Sequence, residues 1–268
     1  MTQTQKIIKY CAIAFAIFLI VSIFSGIVGV FSFVFDIFDD DGSVGEMQSY
    51  SVSEPIRDLE MEISAADLEI RIGESFSVES NLTRLKVETD GETLTVKDKS
   101  KRVDFRNQEP KIILTVPADF AFERVSIEAG AGRLTIDGLT ANKLKLDLGA
   151  GETVIQNLCA PDEAEINGGA GNLTVSDGVL HDLKIAMGVG KLTLKARLQG
   201  DCSFDMGVGE TALSLIGTKD DYRISVTKGL GTVKVDGESL SNEAVVGTGA
   251  NRVEINGGVG VIDVRFEG

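Results

Sequence analysis

The feature that most limits how this chain can fold is a Gly-x-Gly triplet that returns every 19 to 22 residues, each time just ahead of a strand-like run. The copies begin at Gly130, Gly149, Gly169, Gly188, Gly207 and Gly229, with Ala, Val or Leu between the two glycines. A degenerate copy, Gly249-Ala250-Asn251, follows 20 residues later, and Gly258-Val259-Gly260 comes after a further half-step. A fixed period of this size means one supersecondary unit stacked on itself, not a globule around one central core.

Register follows from counting out from each first glycine. Position −5 holds Val125, Leu144, Ala164, Leu183, Cys202 and Ile224, and position −3 holds Ile127, Leu146, Ile166, Ile185, Phe204 and Val226. Polar residues such as Lys145, Glu165 and Lys184 stand between them. Beyond the glycines, position +4 is Leu134, Thr153, Leu173, Leu192, Thr211 and Val233, and position +6 is Ile136, Ile155, Val175, Leu194, Leu213 and Val235. The degenerate copy continues these rows with Ala244, Val246, Val253 and Ile255. Alternation of this kind marks strands with one buried face. Each unit therefore has two short strands joined at the Gly-x-Gly corner.

The return corner has turn chemistry of its own in Asp137-Gly138, Asp177-Gly178, Asp236-Gly237 and Asn256-Gly257. Asn251 in place of a second glycine suits the left-handed region. Like positions of successive units form ladders only if the chain winds once per period. The sequence thus predicts an all-β fold, a parallel β-solenoid with coils of ~20 residues. Eight coils at ~4.8 Å each stack to roughly 40 Å. The absence of Trp and the small residues at −5 suit a narrow interior of Val, Ile and Leu.

Regular repeats are expected over residues 129–268 and a less regular lead-in over 55–128, the two forming one domain, 55–268. In the lead-in, Leu59 to Ile63, Leu68 to Ile72, Leu85 to Val87 and Leu94 to Val96 read as half-buried strands, with Asp90-Gly91 as a hairpin turn. Ser64-Ala65-Ala66-Asp67-Leu68-Glu69-Ile70 reads as a worn copy of the repeat. The charged stretch from Lys97 to Pro110 reads as an exposed loop, and Pro117 ends the strand Ile112 to Val116.

Residues 10–35 carry no charge and are nearly all apolar. At ~1.5 Å per residue they make roughly 39 Å of helix, more than the ~30 Å hydrocarbon core needs. A cleaved signal peptide is the competing reading, but its apolar region runs only ~7–15 residues. After Ser25-Gly26, which can mimic a cleavage site, apolar residues continue. One uncleaved N-terminal transmembrane helix is expected. Lys6 and Lys9 precede it and Asp36, Asp39, Asp40 and Asp41 follow, which keeps the amino terminus inside. The organisation is a cytoplasmic tail (1–9), the span (10–35), an acidic linker (36–54) and an extracellular β domain at the cell membrane. Lys6 and Lys9 are the only charged residues before Asp36. Residues 36–268 therefore carry 24 of the 26 basic residues against all 41 acids, a formal charge of −17. Such a balance opposes nucleic acid and anionic lipid as partners.

No catalytic, cofactor-binding or metal-binding residue is expected. A dinucleotide fingerprint needs a third glycine and a following helix, whereas Arg133-Leu134-Thr135 and Glu210-Thr211-Ala212 follow the corners. The calcium-binding repeat G-G-x-G-x-D is approached by Gly168-Gly169-Ala170-Gly171-Asn172 and by Gly257-Gly258-Val259-Gly260-Val261, but Leu173 and Ile262 stand where its aspartate belongs. The single histidine, His181, lies in a turn-like stretch, so multi-histidine metal sites are excluded. Cys159 and Cys202 fall about two coils apart, ~9–10 Å, beyond disulfide reach, and read as small core residues. A pair of carboxylates for glycan cleavage can be drawn from 41 acids. Aromatic platforms for a sugar are scarce, with Phe204, Tyr222 and Phe266 the only ones in the repeats.

The run Ile112-Ile113-Leu114-Thr115-Val116-Pro117, followed by Val125-Ser126-Ile127-Glu128-Ala129-Gly130-Ala131-Gly132-Arg133-Leu134-Thr135-Ile136-Asp137-Gly138-Leu139 and its successors, resembles a bacterial family. This is the "putative adhesin" domain of unknown function, the DUF four-zero-nine-seven family, common in Gram-positive bacteria. The resemblance covers roughly residues 56–266 and includes the membrane-anchored layout. It implies a β-solenoid at the cell envelope, associated in some members with envelope-stress operons, and it brings no catalytic residues. The expectation is a non-enzymatic envelope protein, either an adhesive or scaffolding rod or a stress-associated component. Its partners would be cell-wall glycan or another membrane protein. The alternative is a cell-wall polysaccharide-active enzyme with carboxylates on a solenoid face.

Overall fold

Residues 44–52, 55–98, 109–240 and 244–268 are described by a computed structural model of the protein. The tail 1–9, the span 10–35 and the first part of the linker lie outside the described residues. Within the stretch read as linker, Val44–Tyr50 forms a strand, β1, held antiparallel to β4 (Ser77–Leu82). Six more strands complete the lead-in. They are β2 (Asp58–Ala65), β3 (Asp67–Gly73), β5 (Leu85–Asp90), β6 (Thr93–Asp98), β7 (Lys111–Pro117) and β8 (Ala121–Ile136), the last carrying the first Gly-x-Gly corner. The repeats follow as β9 (Leu139–Ala160), β10 (Glu163–His181), β11 (Leu183–Gln199), β12 (Asp201–Ile216) and β13 (Tyr222–Val235). Last come β14 (Glu238–Ser239), β15 (Ala244–Val246) and β16 (Asn251–Glu267).

The long strands bend without losing their ladders. Leu183 lies beside Ala164 and Ile185 beside Ile166, in parallel, and the pairing runs on through the corner from Gly171–Gly190 to Leu173–Leu192. An extended chain that comes back beside itself after one period has closed a circuit, and it does so through three turns. The Gly-x-Gly corner is the first, Asp177 (φ 57°) the second and Asp182 (φ 46°) the third. Each coil thus has a third side that the alternation does not reveal. It is only three or four residues long, and its inward positions are Leu158 with Ala160, Leu180, Ala196 with Leu198, and Leu215, all buried. One or two apolar positions are too few to show a period.

The −5, −3, +4 and +6 rows face the interior as expected. Ala164, Ile166 and Val175 are fully buried, with Leu173 nearly so, and the same rows are closed in neighbouring coils. Alanine or cysteine at −5 lets the coil stay narrow where Leu173 points in from the facing side and Phe204 from the next inward position of the same strand. The glycines are set by the stack beneath them. A Cβ built on Gly151 would overlap the carbonyl oxygen of Gly132, and one on Gly190 that of Gly171. The worn copy fits the same scheme, with Ala65 beside Ala131, Leu68 beside Leu134 and Ile70 beside Ile136. Ser64 and Ala66 replace glycine there because no Gly-x-Gly corner among the described residues lies under that rung.

Sequence order and stacking order part company at both ends. β6 and β7 form the last parallel rung, edged by antiparallel β5 and β4, and the earlier pair β2 and β3 lies between it and β8. At the far end β16 lies between β12 and β13. This corrects the reading of the last repeats. Val253 pairs with Cys202 and Ile224, and Gly260 with Gly209 and Gly231, so the final corner is Gly258-Val259-Gly260. Gly249-Ala250-Asn251 is no corner, and Ala244 and Val246 pair antiparallel to β13 instead. The chain must cross the end of the stack and turn back, which needs the long connection 236–250. Asn251 does not take the left-handed region. Its carboxamide accepts from the Gly200 N–H at 3.2 Å and donates to the Asp221 carbonyl at 3.1 Å. Asn256-Gly257 likewise belongs to β16 and not to a turn.

The hairpin reading at Asp90-Gly91 stands. Gly91, with φ 60°, turns β5 into β6, where Asp90 meets Thr93. The stretch expected as a loop begins later than read, since Lys97 and Asp98 belong to β6, and its residues 99–108 lie outside the described residues.

Candidate functional site

Outward positions form columns that run from coil to coil. On the first side, Glu62, Glu128, Asp147 and Asn167 occupy successive rungs. Neighbouring rungs stand ~4.8 Å apart, so these side chains form one polar strip. Asn167 donates to Asp147 and to Glu165, each at 2.8 Å. Lys97 holds Glu62 at 2.6 Å and Glu60 at 3.1 Å, and those hydrogen bonds raise its pKa. Lys145 meets Asp147 at 3.3 Å and Lys184 meets Glu163 at 3.0 Å. Lysines thus neutralise part of this face, Lys97 and Lys184 from a neighbouring rung and Lys145 from the same strand. The middle residues of the corners also line up outward, and the far end of that line is apolar, with Leu230 69% and Val259 47% exposed.

The residues weighed as chemical candidates are scattered. His181 is half-exposed beside Asp182, its Nδ1 3.2 Å from the carboxylate. Cys202 is buried at −5, and burial pushes its thiol up to about 11. Cys159 is a correction: it pairs with Val179 on the third side, faces outward and is only half-buried. Alternation on that short side puts Leu158 and Ala160 inward and the cysteine between them out. Both cysteines are free. Among the described residues no group of His, Cys, Asp and Glu is placed to hold a metal ion. Of the glycines that resemble a calcium repeat, Gly169, Gly171, Gly258 and Gly260 are accounted for by the carbonyls beneath them, and Gly168 and Gly257 by the side chains of Met187 and Ile262.

Space for a ligand is uneven. The furrows along the corner column have volumes of about 30 and 20 Å³, enough for a water and little more. An open groove of about 700 Å³ runs along the acidic column past Glu62, Asp98, Glu128 and Asp147. A second recess, of about 240 Å³, lies where the lead-in meets the repeats, between Ile72, Pro117 and Phe120 on one side and Asp137, Thr140 and Asn157 on the other. The acidic column is readable from the −2 position once the worn copy is aligned. No sequence signal marks the second recess, because it exists only through the stacking order.

Comparison with solved structures gives similar chains at low identity. A "putative adhesin" from Parabacteroides distasonis matches at 13% identity over 84% of this chain and 100% of its own, with a TM-score of 0.42. A "putative adhesin" from Bacteroides fragilis matches at 13% identity over 82% and 96%, with a TM-score of 0.41. A "Putative lipid binding protein" from Parabacteroides distasonis matches at 14% identity over 81% and 96%, with a TM-score of 0.37. No curated protein sequence matches. A family profile matches residues 56–246, most of the repeats and all of the lead-in strands from β2 onward. With its all-β architecture and its Gly-x-Gly corners, the chain belongs to the Toastrack DUF4097 family.

Proposed function

We propose that the protein is a single-pass membrane protein of the cell envelope. Its amino terminus is cytoplasmic, and its extracellular β domain is a parallel β-solenoid that works as a non-enzymatic adhesive or scaffolding rod, alone or within an envelope-stress system. The observation that carries this reading is the set of continuous outward columns, such as Glu62, Glu128, Asp147 and Asn167. They offer a long, evenly spaced face without a nucleophile and base in reach of each other among the described residues. Extended repeat surfaces of this kind bind partners over many rungs. The charge of residues 36–268 points to partners that are not polyanions, and cell-wall glycan or another envelope protein fits.

A second reading has one observation in its favour. Glu128 and Asp147 sit on adjacent rungs at ~4.8 Å spacing, close to the ~5–5.5 Å that separates the carboxyl groups of retaining glycosidases. The open groove beside them has a volume of about 700 Å³. Against it, no aromatic side chain lines that groove.

The test uses the full-length chain in detergent, incubated with insoluble peptidoglycan. Pelleting and the release of reducing ends are scored together, with a glycan-free control. Pelleting without turnover is the expected result. Turnover that disappears in Glu128→Gln would replace the scaffold reading with the enzymatic one, and neither pelleting nor turnover would sink both.

A further inference from the structure

The recess near Phe120 is the gap left by one missing turn. In the regular stack, each coil places a turn above the last at the second corner, with Asp137-Gly138, then Asn157, then Asp177. One rung lower, β3 ends at Gly73 and the chain leaves for β4, so the pair β2–β3 supplies no turn. The next turn down, Pro117 to Phe120, belongs to the connection between β7 and β8, where the Phe120 N–H donates to the Pro117 carbonyl at 3.1 Å. The β strands on either side close up, since Ala121 pairs directly with Thr140. The corner itself stays open, with a volume of about 240 Å³.

Its walls differ in character. Ile72, Pro117 and Phe120 give it an apolar edge, while Val116 and Leu139 turn their side chains into the core. Ile72 is 43% exposed, and Phe120 is braced edge-on by Phe76 and Phe122, with ring centroids 4.8 Å away in each case. That bracing holds an aromatic wall in place without a ligand. The opposite side has Asp137, Thr140 and Asn157. Asp137 uses its backbone N–H on the Ile70 carbonyl, and its own carbonyl accepts from Asn157 Nδ2 at 3.2 Å. The Asp137 carboxylate, the Thr140 hydroxyl and the Asn157 Oδ1 have no partner among the described residues.

We infer that this recess binds a single neutral sugar residue of a glycan. A pyranose has an apolar C–H face to lay on the Phe120 and Pro117 wall, and its edge is lined with hydroxyls. Those hydroxyls donate to the carboxylate and to Asn157 Oδ1, and one accepts from Thr140, so donors and acceptors match. The recess is mainly polar, with its apolar contact confined to Ile72, Pro117 and Phe120, and the volume falls just under the ~300 Å³ lower end for drug-sized ligands, fitting one ring. No Lys or Arg lines the recess, so uronic acids and phosphorylated glycans lack a counter-charge there. The inference rests on the adhesive reading and names its ligand class.

The experiment titrates the full-length chain in detergent, by calorimetry, with maltotriose, chitotriose, trigalacturonate and spermidine. The expected result is binding of a neutral trisaccharide with Kd at or below the millimolar range. Asp137→Ala and Thr140→Val should each weaken it at least tenfold while circular dichroism and the unfolding midpoint stay unchanged. Phe120→Leu, which keeps the packing against Phe76 and Phe122, should weaken it as well. Preference for trigalacturonate or spermidine, neutral-sugar binding that ignores these substitutions, or no binding at tens of millimolar would each overturn the assignment. Pelleting with peptidoglycan separates the two levels. If the variants pellet like the parent chain, the recess is not the contact and the adhesive reading survives. If the parent itself does not pellet yet binds maltotriose or chitotriose, the recess stands and the adhesive reading falls.

Discussion

Asn256 donates its Nδ2 to the Asp205 carboxylate at 2.9 Å, joining residues 51 positions apart in the chain. They meet because β16 lies against β12, and the same amide reaches Glu254 at 3.4 Å. Asn167 repeats the arrangement between Asp147 and Glu165. A neutral donor on one rung allows acids on the next without bare carboxylates side by side. Replacing Asn256 with Asp puts like charges on adjacent strands, which destabilises a sheet. The N256D chain should unfold at lower denaturant than the parent in low salt. The gap should narrow at ~1 M salt, where the Debye length is roughly 3 Å. Equal midpoints in both buffers would remove this role for the amide.

Ile166 and Ile185 are 0% and 1% exposed and lie on neighbouring rungs. Aspartate at either place would be a buried charge with no partner, among the costliest single changes, on the order of 4 kcal/mol or more. Urea unfolding of I166D and I185D should show loss of most of the stability or failure to fold. Normal midpoints would mean that the inward row is misassigned.

Gly151 and Ala66 hold equivalent corner places on different rungs. Gly151→Ala drives a Cβ into the Gly132 carbonyl, and a backbone overlap cannot be relieved by a rotamer change. Its cost should exceed ~3 kcal/mol, the upper end for ordinary substitutions. Ala66→Gly removes only a small buried methyl and adds chain entropy, worth about 1 kcal/mol. Comparable losses for the two would refute the account of the corners.

The cysteines should separate by reactivity. Cys159 is half-exposed and Cys202 buried, so a maleimide should label Cys159 first in the folded protein, followed by mass spectrometry of the digest. The raised Cys202 thiol also gives a pH signature. Its folded pKa of about 11 lies above the ordinary thiol value of 9.0, so the unfolded chain loses that proton first. Stability is intact below about pH 9 and declines as pH rises toward 11. Cys202→Ala should flatten that decline. An equal slope in the variant would assign it to other groups.

The proposed topology makes a prediction in cells. Protease added to intact protoplasts should remove the β domain and leave a small membrane stub. Protection of the domain would reverse the orientation, and mature protein beginning near residue 26 would restore the signal-peptide reading.

The inward rows can be read from sequence because each is set by two residues within one strand, as with Ala164 and Ile166. Alternation needs only local order. The place of β16 cannot be read that way. Val253 and Ile255 fit the +4 and +6 rows of a sequential copy as well as the −5 and −3 rows they occupy, and nothing in the chain marks which coil is their neighbour. The glycine spacing holds the clue, since Gly229 to Gly258 spans more than one period. Cys159 escapes for a related reason: the third side is too short to show which of its residues points in. The acidic column follows from the −2 positions Glu128 and Asp147. The recess by Phe120 does not, because it depends on a turn that β3 fails to make.

The intercalated strands change how the protein would answer to force. A rod built in chain order can be stripped from its ends, one rung after another, each step breaking a single ladder. Here a pull that reaches residue 56 loads β2, which is hydrogen-bonded to β6 on one flank and β8 on the other. A pull from the other end loads β16, clasped by β12 and β13. Neither can be peeled. Each must slide along its own axis with two rows of hydrogen bonds giving way together. Resistance of that kind is a matter of unfolding rate and not of equilibrium stability, and it suits a molecule that would have to hold on while its surroundings move.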